Sequence, residues 1–114
     1  MLKNVERIKK SGGTIGVGTD CCGTHLSFFG YYWKELKWLT SAGFTNAGAL
    51  KAATIVNAGI IGMADSIGTI EPTKYADFTI IDGDPLQDIS MTKNIAMVVK
   101  NGEIVVRNGN VVLS

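Results

Sequence analysis

The residues best suited to chemistry sit together in one short stretch, Asp20-Cys21-Cys22-Gly23-Thr24-His25. Asp20 follows the β-rich run Thr14-Ile15-Gly16-Val17-Gly18-Thr19. A carboxylate at the end of such a strand can bind a divalent metal or take a proton from a bound water. The structural alternative is a loop aspartate that caps backbone N–H groups, and local sequence alone favours it. Cys21, Cys22 and His25 include a Cys-x-x-His spacing. A zinc site needs three or four ligands, and His25 is the only histidine, so a zinc knuckle lacks its second half. Buried thiols beside a pocket are the simpler reading of the cysteines. Gly16 and Gly18 invite a dinucleotide reading, but the next glycine of that fingerprint would fall at position 21, where Cys21 stands.

The elements around this stretch alternate between helix and strand. Leu2, Val5 and Ile8 recur at three-residue spacing, Lys9 and Lys10 suit a helix C-terminus, and Ser11-Gly12-Gly13 stops that helix. The run at 14–19 reads as a strand whose glycines let another group come close. Residues 28–38 are aromatic-rich, with Tyr32, Leu36 and Leu39 near helical spacing and Gly43 as the stop. Thr45 or Asn46 can cap a further helix whose apolar face is Ala49, Leu50, Ala53, Val56, Ile60 and Ile61, ending at Gly62. After Asp65 the pattern changes. Phe78 and Ile80 belong to a strand closed by Asp82-Gly83-Asp84-Pro85. A hairpin then turns at Asn101-Gly102, and a second turn at residues 107–110 leads to Val111-Val112-Leu113. The expectation is α/β for residues 1–62 and an antiparallel β segment for residues 63–114.

Composition narrows the function classes. The 114 residues are 46% hydrophobic and carry a formal net charge of +1. That balance gives no electrostatic footprint for nucleic acid or an anionic membrane. No apolar run reaches the length of a membrane span, and the start of the chain has no secretory core. Two adjacent cysteines cannot staple distant parts of a fold. These features lead us to expect a reducing, cytoplasmic setting.

Taken in order, the residues resemble the C-terminal end of a metal-dependent amidohydrolase of the imidazolonepropionase and prolidase-like type. Gly18-Thr19-Asp20 is similar to that superfamily's strand-eight signature. Glu35-Leu36, Leu39, Gly43 and Thr45 resemble the helix pair that follows. Ala49-Leu50-Lys51-Ala52-Ala53-Thr54, with Asn57-Ala58 and Gly62, is similar to its alanine-rich helix. Asp65, Gly68-Thr69-Ile70-Glu71, Lys74, Ala76-Asp77-Phe78 and Asp82-Gly83-Asp84-Pro85-Leu86 continue the match.

The resemblance implies the last strand and helices of a (β/α)8 barrel over residues 1–62, followed by a β-sandwich segment over residues 63–114. It implies hydrolysis of amide, cyclic amide or dipeptide-like C–N bonds of a small molecule, with a divalent metal, often zinc, in the complete enzyme. Asp20 would bind that metal and orient or deprotonate the attacking water, and His25 would stand on the substrate side. A complete barrel takes about 250 residues, and the paired histidines of the family's first strand are not in this sequence. One carboxylate does not hold a catalytic metal. Two readings follow: a hydrolase segment, inactive as this chain alone, that keeps Asp20 as one of its site residues with or without a bound metal, or a non-catalytic self-associating module. Both expect a homo-oligomer or a complementary barrel segment to cover the open edges. Pro72-Thr73-Lys74 departs from the family's glycine after proline, and Thr73 suggests a type I turn or a relaxed constraint.

Overall fold

A computed structural model describes residues 2–20 and 30–112. Helix α1 (Leu2–Lys10) carries Arg7, Lys9 and Lys10 in its last turn, where they face the negative end of the helix dipole. It stops where expected, with Gly12 at φ +78°. Helix α2 (Tyr32–Ser41) buries Leu36 and Leu39, and Gly43 ends it at φ +88°. Helix α3 (Asn46–Lys51) is capped by Thr45, whose side chain accepts from the Gly48 N–H at 3.0 Å. The chain then widens into a π-helical segment, Ala52–Val56, before closing as α4 (Asn57–Ile60).

The core lies between these helices. Leu36, Leu39, Ala49, Ala52 and Ile89 form its buried cluster, and Val5, Ile15, Val17, Phe44, Leu50 and Ala53 pack around it. Alanines at 49, 52 and 58 are buried and let the helical backbones approach closely; of the expected apolar face only Ala49 is fully buried, and Ile60 and Ile61 are exposed. Ile89 arrives from a 3₁₀ turn, Ile89–Lys93, so the later part of the chain contributes to the helical core. Lys9 ties α1 to the α2–α3 connection. Its ammonium donates to the Gly43 carbonyl and stands 4.9 Å from the Phe44 ring centroid.

The β half is one antiparallel sheet in the order β1-β2-β3-β4, built from β1 (Phe78–Ile81), β2 (Ile95–Lys100), β3 (Glu103–Arg107) and β4 (Asn110–Val111). Asn101-Gly102 makes the β2–β3 turn, with both residues at positive φ, and Asn108-Gly109 does the same before β4. Asp77 fastens the first hairpin to the start of β1. One carboxylate oxygen accepts from the Asn101 N–H at 2.6 Å and the other pairs with Lys100. These contacts hold the Asp77 carboxyl below its ordinary pKa, the Lys100 hydrogen bond being the larger cause.

Two expectations need correction. Residues 14–19 form no strand. A strand exists through its hydrogen-bonded neighbour, and among the described residues no backbone hydrogen bond joins this run to another strand. The described part of residues 1–62 is therefore helices plus one unpaired run, not an α/β sheet layer. The β half is a single antiparallel sheet among the described residues. Finally, Thr73 stands at φ +76° in a turn closed by the Lys74 N–H bonding to the Glu71 carbonyl at 3.3 Å. That is the conformation of a type II turn, so the expected type I turn is wrong. Lys74 braces the turn by pairing with Glu71 and donating to the Ala64 carbonyl and the Thr69 hydroxyl.

Candidate functional site

Asp20 closes the unpaired run. It is exposed and has a left-handed backbone, φ +46°, a conformation that aspartate tolerates better than most residues. His25, Cys21 and Cys22 lie outside the described residues. The Asp20 expectation thus meets an accessible carboxylate beyond the end of an extended-type run, without the strand terminus that the sequence suggested.

What holds the run is a side chain. Asn57, the first residue of α4, bonds both backbone polar groups of Val17. The Val17 N–H donates to Asn57 Oδ1 at 2.9 Å, and Asn57 Nδ2 donates to the Val17 carbonyl at 2.8 Å. One carboxamide thereby reproduces the donor and acceptor pair that a neighbouring strand would offer. Gly16 makes room for it. A Cβ at that position would lie 2.2 Å from Asn57 Oδ1 and 2.8 Å from Ile60 Cδ1. The π-helical segment directly precedes Asn57, and such a widened turn re-aims the side chains that follow it.

One titratable group meets Asn57, and a second lies beside that group. The Tyr32 phenol, at the start of α2, interacts with the Asn57 side chain. Burial and then the Glu35 carboxylate push its pKa up, outweighing the lowering effect of that amide. Burial also raises the Glu35 carboxyl, which lines an apolar hollow of about 260 Å³ with Leu2, Val5, Trp38 and Leu39. Sequence reasoning missed this cluster. The only signals were Gly16, read as a place of close approach, and the Asn57-Ala58 pair, noticed as part of a resemblance and given no role.

The metal expectation was tested on the donor set. Among the described residues, no group of three His, Cys, Asp or Glu side chains is placed to hold a metal ion. Asp20 is a single oxygen donor group, so the described residues do not fit a complete metal site. No described helix is long and apolar enough to cross a membrane.

Comparison with known proteins supplies the class. The Amidohydrolase family pattern matches residues 1–105, and the chain belongs to this family. Members of the family generally use a divalent metal. The 5-methylthioadenosine/S-adenosylhomocysteine deaminase of Symbiobacterium thermophilum is 32% identical over 89 residues, which cover 70% of this chain and 20% of that protein. A Bifidobacterium longum structure described as a prolidase superposes with a TM-score of 0.88 at 37% identity, over 95% of this chain and 26% of that one. A Xaa-Pro dipeptidase with bound methionine in its active site gives 0.83 at 29% identity, over 90% and 25%. The chain thus spans about a fifth of the deaminase and a quarter of these solved chains.

Proposed function

We propose that this chain supplies the C-terminal part of a metal-dependent hydrolase of C–N bonds, and that it is inactive alone. In this reading residues 1–62 correspond to the last strand and helices of a (β/α)8 barrel, and residues 63–114 to a segment of the attached β-sandwich. Asp20 would be one ligand of a divalent metal, zinc by resemblance to the family, and would orient the attacking water; the remaining ligands would come from polypeptide outside this chain. His25 stands on the substrate side. The substrate is a small amide, cyclic amide or dipeptide, and the setting is cytoplasmic. The observation that carries the reading is the superposition on a Xaa-Pro dipeptidase at a TM-score of 0.83 over 90% of the chain.

A partner follows from surface chemistry. Leu2, Ile8 and Trp38 remain 41%, 47% and 49% exposed, and no large side chain is fully buried among the described residues. The β1 edge is also open. A second copy or a complementary barrel segment would cover this surface. This also favours the second reading, a self-associating module. A light-scattering mass above that of one chain at micromolar concentration is expected, and a mass equal to one chain would count against self-association.

Grafting tests the hydrolase reading. The matched quarter of the Xaa-Pro dipeptidase is replaced by this chain. A folded chimera should hydrolyse Xaa-Pro dipeptides in a metal-dependent way. A folded, metal-loaded chimera with no C–N hydrolysis would favour the non-catalytic module.

A further inference from the structure

We propose that Asn57 is a positioning residue for Asp20. Its carboxamide stands in for the missing strand neighbour and fixes the run that leads directly into the exposed carboxylate. The functional weight of this inference rests on the hydrolase reading of Asp20, but the contact itself does not.

Four observations converge on Asn57. Its amide engages both backbone polar groups of one residue, Val17, at 2.9 and 2.8 Å. Those groups are partly buried, so leaving them unpaired is costly. Gly16 leaves the space the amide occupies, and any side chain there would collide with Oδ1. The π-helical segment ends directly before Asn57 and sets its direction. Tyr32, at the start of α2, interacts with the same amide. Val17 lies three residues before Asp20, and only Gly18 and Thr19 intervene. Among the described residues no backbone hydrogen bond holds residues 14–20. Freeing Val17 therefore frees the segment that sets the direction of the Asp20 side chain. Asn57 touches no reacting group; it acts through Val17.

Amide exchange and carboxyl-carbon NMR on the 114-residue chain test this. The Val17 N–H should be protected in the unaltered protein. Asn57→Leu should speed its exchange by at least about thirtyfold, the factor corresponding to one lost hydrogen bond of a partly buried group. Asn57→Asp keeps an acceptor for the Val17 N–H and loses the donor to its carbonyl, so it should fall between. Gly16→Ala should mimic Asn57→Leu from the opposite side, and adding it to Asn57→Leu should change little more. Exchange at Val98 in the sheet should not move. The Asp20 carboxyl-carbon signal should shift or broaden in Asn57→Leu and Gly16→Ala.

Unchanged Val17 exchange in Asn57→Leu would overturn the proposal. So would an unchanged Asp20 signal once Val17 is freed. If Asn57→Leu unfolds, Asn57→Asp and Gly16→Ala carry the same comparison. None of these readouts needs turnover. An inactive chimera with a protected Val17 would sink the hydrolase reading alone, and a freed Asp20 with full activity would sink the positioning role alone.

Discussion

The two halves of this chain satisfy their backbones in different ways. In the sheet, strands pair with strands through two tight turns and a register fixed at Phe78↔Val99 and Val106↔Val111. In the helical half, the run that carries Asp20 has no strand partner among the described residues, and one carboxamide forty positions away serves both backbone groups of Val17. Sheet pairing spreads its hydrogen bonds over many residues, so losing one weakens a ladder. The Asn57 clamp concentrates them, so one substitution can release the whole run. The first arrangement favours robustness, and the second places control of a reactive group in a single side chain.

The largest effect expected short of the site itself comes from the helical core. Leu36 is 3% exposed and packs with Leu39, Ala49, Ala52 and Ile89. Leu36→Ala should cost about 2–5 kcal/mol, enough to unfold a domain of marginal stability. Because Ile89 comes from the later half, denaturant melts followed by circular dichroism should show helix and sheet lost together. Separate transitions would show that the two halves stand independently.

A smaller effect sharpens the comparison from the β side. Thr73 is a β-branched residue at φ +76°, at a position that glycine occupies without strain. Thr73→Gly should stabilise the chain by roughly 1 kcal/mol, read as a raised denaturant midpoint with unchanged slope.

The smallest effects differ in sign between the halves. Asp77 is held below its ordinary pKa, mainly by the Lys100 hydrogen bond and then by the Asn101 N–H. Its contribution is present at neutral pH and is lost as pH falls through its depressed value. Asp77→Asn should therefore be the less stable protein at neutral pH, with the gap closing in acid. Glu35 is raised by burial. It binds its proton more readily folded than unfolded, so its penalty is present above the raised value and is relieved on acidification. Glu35→Gln should be slightly more stable than the parent at neutral pH, and that gap should also close in acid. Melting temperatures of the two variants across acidic to neutral pH check both signs.

Much of the fold was legible in the sequence because its signals are local. Asn101-Gly102 named its hairpin, Thr45 its cap, and Gly12, Gly43 and Gly62 their helix ends. The type II turn was misread because Thr73 argues against the conformation it adopts, and only the bracing by Lys74 and Glu71 explains it. The strand at 14–19 was misread because β pattern describes a residue's preference, while pairing needs a neighbour. Asn57 was invisible for the reverse reason. Its partner lies far away in sequence, and nothing in the spacing of one asparagine announces which peptide it will meet. Asp20 stood out through its neighbours, Gly18 and Thr19, and its shortage of metal-binding companions was legible too, since the sequence holds one histidine.

The most direct test of Asp20's role counts metal in the dipeptidase chimera with and without Asp20→Asn, by elemental analysis alongside Xaa-Pro hydrolysis. The account predicts bound divalent metal and turnover in the parent chimera, with turnover abolished and metal weakened in Asp20→Asn. A folded Asp20→Asn chimera that keeps both its metal and its full rate would contradict it.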